Sequence, residues 1–292
     1  MRISLPWGKE RTLVPPSDAS EPTGGRPDAE LVSDRFCTES PIPANAIEIF
    51  AGEWSSRLPA PYEELTGSEI ALFDDQRIHW GSEHFGGFDG MSVLELGPLE
   101  GGHTYMLDRM GAREVLAIEA NQKAFLRCLI VKEVFGIPSA RFLCGDFVKY
   151  LEQAATSGAD RWDLCVASGV LYHQQDPVAL LQLVSKVCDR VLLWTHFYDA
   201  TVITARPDLA PKFPSSVTAR TSGFSHTLHR YEYASALAWG GFCGGPATWS
   251  CWMERDEILS CLEHLGFADV EVAFEQLDHQ NGPAFCVAAR RR

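Results

Sequence analysis

The sequence has no CxxC pair, no internal repeat, no run of lysines and arginines, and no apolar stretch long enough to span a bilayer. Each absence removes a class of protein. The nine cysteines are scattered, and Cys144, Cys165, Cys188 and Cys286 sit inside apolar runs, where a free thiol behaves as a small hydrophobe. That usage argues against a disulfide framework and against a cysteine-based zinc site. The first residues lack the basic-then-apolar pattern of a secretory signal, and no run approaches the roughly 20 apolar residues of a membrane helix. A cytoplasmic protein with reduced thiols and no membrane partner is expected. Lys and Arg number 25 against 39 Asp and Glu, a net charge of −14. An acidic surface repels phosphate backbones, so no nucleic-acid partner is expected.

What is present is organised in three stretches. Residues 1–40 are rich in Pro, Gly, Ser and charge and read as a disordered arm. Residues 41–90 carry Ile47, Ile49, Phe50, Trp54, Leu58, Tyr62 and Leu65, too apolar for a tail, and read as a cap or lid. From 91 to 292 short apolar strands alternate with amphipathic helices. The strands are Val93–Leu96, Val115–Ile118, Arg141–Cys144, Leu164–Ala167 and Val191–Trp194. Between them, His103, Met106, Leu107 and Met110 recur at helical spacing, as do Phe125, Cys128, Leu129 and Val131. Asp176-Pro177 is a helix start, a capping residue followed by a proline suited to the first turn. This alternation predicts an α/β fold, a mostly parallel sheet with helices on both faces. Residues from about 197 to 252 are irregular and rich in Gly, Ser, aromatics and His, and a gap of that length reads as a functional insertion. A helix around Ile258–Leu265 and strands near 270–274 and 284–288 follow, and Arg290, Arg291 and Arg292 read as a solvated tail.

In an open parallel sheet, ligands bind beyond the carboxyl ends of the strands. The first strand runs into Glu95-Leu96-Gly97-Pro98-Leu99-Glu100-Gly101-Gly102, whose glycines let the backbone turn sharply and approach a ligand. The second ends in Glu119-Ala120, 22 residues after Gly97, where a carboxylate can accept from both ribose hydroxyls. The third ends in Gly145-Asp146-Phe147, an acceptor for an adenine amino group beside an aromatic ring. A dinucleotide would require glycine in place of Leu99 and would set its pyrophosphate beside Glu100 at a helix N-terminus. S-adenosylmethionine (SAM) carries a positive sulfonium and no phosphate, and meets neither objection.

The series Glu95-x-Gly97-x-x-x-Gly101, Glu119, Asp146 and Ala167-Ser168-Gly169-Val170-Leu171-Tyr172-His173 resembles the successive motifs of class I SAM-dependent methyltransferases, over roughly 92–198. The resemblance implies a Rossmann-like seven-stranded sheet with its last strand antiparallel. It implies Glu95 and Gly97 near the methionine part of SAM, Glu119 at the ribose and Asp146 at the adenine. Pro98, Gly101, Ala120, Phe147, Ser168 and Gly169 complete the cofactor-binding set. Leu99 departs from the motif, which usually has glycine there. The run Gly169 to His173 with Asp176-Pro177 is also similar to that of tRNA wobble-uridine carboxymethyl transferases. A carboxylated cofactor would need a cation near the glycine turn, for which Arg109 is the candidate; the acidic balance argues against tRNA.

Methyl transfer is an in-line displacement that needs an aligned nucleophile, exclusion of water and often a base. Tyr172 and His173 directly follow the fourth strand, and His196 and Tyr198 follow the fifth. His173 is the first candidate for base or substrate orienter, His196 the second, with Tyr172 beside them. Further candidates are His226, His229, Tyr231 and Tyr233 in the insertion and Asp278, His279 and Asn281 in the last loop. His226 and His229 would form a metal-ligand pair only on a helix, and their segment lacks helical periodicity, so no metal is expected. The run Trp239–Gly245 reads as a hinge or pocket wall. The expected function is methyl transfer from SAM to an O or N atom of a small metabolite or sugar-like acceptor. The alternatives are transfer of a modified group such as carboxymethyl, and a non-catalytic binding module.

Overall fold

Every residue of the strand Ser92–Leu96 (β1) is buried. Strand side chains point alternately to two faces, so both faces of β1 must be covered. The structure is a computed structural model and describes residues 36–158 and 161–291. From Ile42 onward the chain forms one compact unit. It begins with α1 (Pro43–Glu48) and α2 (Gln76–Phe85). After β1 come α3 (Gly102–Arg109), β2 (Glu114–Glu119), α4 (Gln122–Phe135), β3 (Ala140–Cys144), α5 (Phe147–Ser157) and β4 (Leu164–Ser168). Then follow α6 (Pro177–Val187), β5 (Arg190–His196), α7 (Ala200–Thr204), β6 (Ser215–Thr221), β7 (Phe224–Glu232) and β8 (Trp249–Trp252). The chain closes with α8 (Arg255–His264), β9 (Phe267–Gln276) and β10 (Ala284–Arg291).

Seven strands form one sheet in the order β3-β2-β1-β4-β5-β10-β9. β1 to β5 are parallel, and β10 runs antiparallel to both of its neighbours. This is the α/β arrangement expected from the alternation, with the strand order reversing between β1 and β4. On one face, Leu94, Leu96, Cys165, Leu193 and Phe285 pack against α5, α6 and α8 through Leu151, Leu181, Val184 and Leu262. On the other, Val93, Val115, Leu164, Val166 and Leu192 meet α2 and α3 through Ile78, Phe85, Met106 and Leu107. Ala117, Ala140 and Phe142 meet Cys128 and Val131 of α4. Helix α2 lies so close that a Cβ at Gly81 would come 2.6 Å from Leu192 Cδ2.

The stretch 41–90 divides. Ile47, Phe50, Trp54 and Leu58 extend the α4 side of the core as an outer layer. α2 and the fully buried Phe88 belong to the sheet's own packing, because β10 and β5 would otherwise show an apolar face to water. The arm expected over 1–40 lies outside the described residues except for 36–40, which carry no helix or strand.

Two expectations are corrected. Residues 197–252 are not irregular: β6, β7 and β8 make a separate three-stranded antiparallel sheet. The outer strand β6, Ser-Ser-Val-Thr-Ala-Arg-Thr, is mostly exposed and so lacks the apolar alternation that marks a half-buried strand. Arg290 and Arg291 are not a tail either, since they continue β10. Arg290 pairs with Asp269 at 2.6 Å, and Arg291 donates to the Leu265 carbonyl at 3.3 Å and to that of Ser185. The Arg291 guanidinium also lies 5.3 Å over the Phe267 ring. No helix among the described residues is long and apolar enough to cross a membrane.

Candidate active site

Parallel pairing brings the carboxyl ends of β1 to β5 to one edge, where the register sets Leu96 beside Ile118, Glu119 beside Cys144 and Ser168 beside Trp194. Gly97 leaves β1 with φ +66°, and a Cβ there would lie 2.7 Å from Val170 Cγ1. Leu99 also has a positive φ, +56°, a left-handed conformation that costs a non-glycine residue about 1 kcal/mol. The turn keeps its glycine-like path because Glu119 holds it. The Glu119 Oε2 accepts from the Leu99 N–H at 3.0 Å and its Oε1 from the Asn121 N–H at 2.7 Å. Burial pushes the Glu119 carboxyl above its ordinary pKa, against these backbone donors. Glu95, 2% exposed, accepts from the Thr104 hydroxyl, and burial raises its pKa as well.

The N-terminus of α3 is closed by protein. Gly101 to Thr104 are buried, and a Cβ at Gly102 would lie 2.7 Å from the Leu72 carbonyl oxygen. The Glu100 side chain turns away from the cleft, is fully buried, and accepts from the Ser55 and Ser56 N–H groups at 2.8 and 3.0 Å. The Arg127 guanidinium stands 3.1 Å from it. Glu100 therefore bolts residues 55–56 to the glycine turn. The local sequence held no signal for this, since its partners lie 44 and 45 residues away.

The other expected cofactor contacts lie along the same edge. Pro98 is buried, Ala120 is exposed, and Phe147, Ser168 and Gly169 are half-buried. Asp146 is exposed and caps α5, with Oδ1 accepting from Val148 N–H at 2.9 Å and Lys149 N–H at 3.4 Å. Arg109 is not at this edge. It lies at the far end of α3, donates to the Phe135 carbonyl at 2.6 Å and covers the Tyr105 ring, which leaves a carboxylated cofactor without the cation expected for it.

Beyond β4 and β5 the structure draws Tyr172, His173 and His196 into one cluster of rings. Tyr172 is 4.1 Å from His173 and 4.6 Å from His196, centroid to centroid. His196 stacks on Trp252 of β8 (5.1 Å, 7°) and lies 5.0 Å from both Trp194 and His279. Arg77 covers the Trp194 ring at 4.7 Å. His196 Nδ1 faces two carbonyls, Gly282 at 2.9 Å and Pro283 at 3.2 Å. Carbonyls only accept, so Nδ1 carries the proton and Nε2 the lone pair. His173 Nδ1 pairs with the Tyr233 hydroxyl at 2.7 Å. Tyr198 stands apart, stacked at 3.6 Å on His229. His226 and His229 lie on β7, where residues three apart point to opposite faces.

Burial drives His173 down to about 3, with His196 adding to the effect, and drives His196 to about 4, with His279 adding to it. Both are neutral imidazoles at pH 7, and burial keeps Tyr172 a phenol far above its ordinary range. In the unfolded chain both histidines return to about 6.5. The unfolded chain therefore binds protons first as the pH falls, and the stability tied to the neutral pair is full above about pH 6.5 and lost toward pH 4 and below. Melting temperature is expected to be level from pH 8 to 7 and to drop below about pH 6. A His173→Gln/His196→Gln variant should flatten that drop, and a level wild-type profile down to pH 5 would contradict the burial argument.

The fold is that of the Rossmann-like methyltransferase class. No protein-family model matches the sequence, and no curated protein matches it. Among solved structures, the N-terminal domain of EvdMO1 with S-adenosylhomocysteine (SAH) bound is 22% identical, with a TM-score of 0.61 over 85% of this chain and 97% of that one. The same domain in the presence of SAH and D-fucose gives 23% and 0.60; the chain spans 47% of the longer EvdMO1 structure. Magnesium protoporphyrin IX methyltransferase from Synechocystis PCC 6803 with bound SAH is 14% identical, with a TM-score of 0.52 over 91% of this chain and all of that one. A SAM-dependent methyltransferase from Mesorhizobium loti is 15% identical, with a TM-score of 0.51 over 75% and 100%.

Proposed function

We propose that the chain is a SAM-dependent methyltransferase that methylates a hydroxyl of a small, sugar-like acceptor. The observation that carries this reading is Glu119, a buried carboxylate strapped between the glycine turn and the start of α4. Each of its oxygens takes one backbone N–H, and a carboxylate oxygen accepts two hydrogen bonds, so both keep a lone pair for a ribose hydroxyl. Asp146 spends Oδ1 on its cap and keeps Oδ2 for an adenine amino group. Gly97 gives the turn its left-handed path, with Val170 Cγ1 packed where a Cβ would stand. The sealed N-terminus of α3 leaves a pyrophosphate no donors to meet, which favours SAM over a dinucleotide. The shared fold with structures solved with SAH, at TM-scores of 0.52 and above, supports the same choice.

When bound, SAM would supply the electrophilic methyl. His196 then orients the acceptor: its Nε2 lone pair takes the hydroxyl hydrogen, and the carbonyls of Gly282 and Pro283 hold the ring in that tautomer. The Trp252 indole N–H is buried without a partner among the described residues, beside the stacked His196 ring. An orphaned donor next to a lone pair suits a hydroxyl, which both accepts and donates. The half-buried faces of Trp194, Tyr172 and Tyr231 suit the apolar face of a sugar. EvdMO1, crystallised in the presence of SAH and D-fucose, supports that acceptor class.

Titration calorimetry should show SAH binding and no heat with NADH or NADPH, and labelled SAM should transfer its methyl to one member of a deoxysugar panel. His196→Ala should lower kcat about tenfold, the loss of one well-placed hydrogen bond and its orientation, with SAH affinity unchanged. Heat with NADPH and none with SAH would overturn the assignment.

A further inference from the structure

The loop 239–245 reaches both ends of the cleft, and two side chains hold it there. At the ribose end the Asn121 amide is used twice. Its Oδ1 caps α4, accepting from the Lys123 and Ala124 N–H groups at 3.0 and 3.1 Å. Its Nδ2 donates to the Phe242 carbonyl at 3.5 Å. The backbone N–H of the same residue holds Glu119. At the other end the Tyr233 hydroxyl donates to the Gly244 carbonyl at 3.3 Å. With its single proton so engaged, it accepts from His173 Nδ1 at 2.7 Å.

Close approach is built into the loop. A Cβ at Gly244 would lie 2.7 Å from the Phe242 ring and 3.0 Å from His173 Nδ1. The Phe242 ring meets Tyr233 edge-on at 4.9 Å. The flanks have the character of hinges. Ala234 sits at φ +48°, and Gly245 at φ +87° with open space around it. Trp239 on the outer side is 67% exposed, and neither it nor Phe242 belongs to the hydrophobic clusters that pack the two sheets.

We propose that Asn121 and Tyr233 are positioning residues that latch this loop over the cleft, one beside the ribose carboxylate and one at His173. The proposal rests on reading the cleft as a SAM site. Cofactor then leaves only when both latches open, and the loop transmits the occupancy of the ribose end to the imidazole at the methyl end.

The test is stopped-flow release of SAH together with hydrogen exchange of the 239–245 backbone, after calorimetry on the wild type. No SAH binding by the wild type would overturn the SAM reading and this proposal with it. Given binding, Asn121→Asp and Asn121→Ser both keep a helix cap and lose the Nδ2 donor; Tyr233→Phe keeps the ring and loses the hydroxyl. Each is expected to speed SAH release about tenfold, as one hydrogen bond is worth, and to raise exchange in the loop, with melting temperature nearly unchanged in the Asn121 variants and lowered in Tyr233→Phe, which strands the buried His173 Nδ1. Agreement between Asn121→Asp and Asn121→Ser assigns the effect to the lost donor rather than to added charge. Wild-type release and exchange in all three variants would overturn the latch while leaving the SAM site standing.

Discussion

Glu119→Ala is expected to weaken SAH binding about 100-fold. Two hydrogen bonds from ribose hydroxyls to a carboxylate are together worth about 3 kcal/mol, and each 1.4 kcal/mol is a factor of ten. The same substitution orphans the Leu99 and Asn121 N–H groups, which Glu119 now satisfies. Leu99 then keeps only the Cys128 thiol on its carbonyl, at 3.5 Å, to hold its left-handed backbone, so the turn should relax and the melting temperature fall in the free protein too. Asp146→Ala separates the two effects. It removes a cap, worth about 1 kcal/mol, and one adenine contact, so SAH affinity should fall about tenfold. Calorimetry on both variants checks the pair. Wild-type affinity in each would remove these carboxylates from the cofactor site.

The largest effect on stability is expected from Glu100→Ala. The carboxylate is wholly buried, and its loss strands two backbone N–H groups and the Arg127 guanidinium, itself only 7% exposed. Breaking a buried ion pair from one side costs about 3–5 kcal/mol, because the remaining charge has no solvent. Glu53, 3.9 Å from Arg127, is too far and too exposed to replace it. Urea denaturation should show a loss in that range. Glu100→Leu combined with Arg127→Met should recover part of it, since an apolar pair removes the stranded charge. Because Glu100 stands in the glycine turn, the single variant should also loosen SAH binding. A loss below about 1 kcal/mol would mean that water reaches Arg127.

That Gly97, Glu119 and Asp146 line one edge of the sheet was legible in the sequence, for a physical reason. Fully buried parallel strands are short apolar runs, and the residues just past them, Gly97, Glu119 and Asp146, are set by chain order alone. Tyr172, His173 and His196 came together for the same reason, as they follow adjacent strands. What escaped was carried by contacts between distant segments. Glu100 looked like a charge at a helix start, and its partners Ser55 and Ser56 belong to another stretch. Asn121 caps α4 through Oδ1, and nothing local in the sequence reports that its other amide atom reaches Phe242. The sheet β6–β8 was hidden because β6 is mostly exposed and carries only Val217 and Ala219 as apolar residues, and because β7 buries His226 and His229 where an apolar residue would have marked the strand. Buried imidazoles of this kind look like chemistry in a sequence and packing in a structure.

The position of β10 bears on how the molecule is made. It comes last of the sheet's strands in chain order, yet it lies inside the sheet, hydrogen-bonded to β5 on one side and β9 on the other. While a ribosome still holds residues beyond 283, β5 is paired with β4 alone and its other edge, at Trp194 and His196, is bare. A nascent chain stalled there is left with an open, sticky border of the kind that aggregates or recruits chaperones. The His196 end of the cleft, which borrows the Gly282 and Pro283 carbonyls, therefore matures after the Glu119 end during translation.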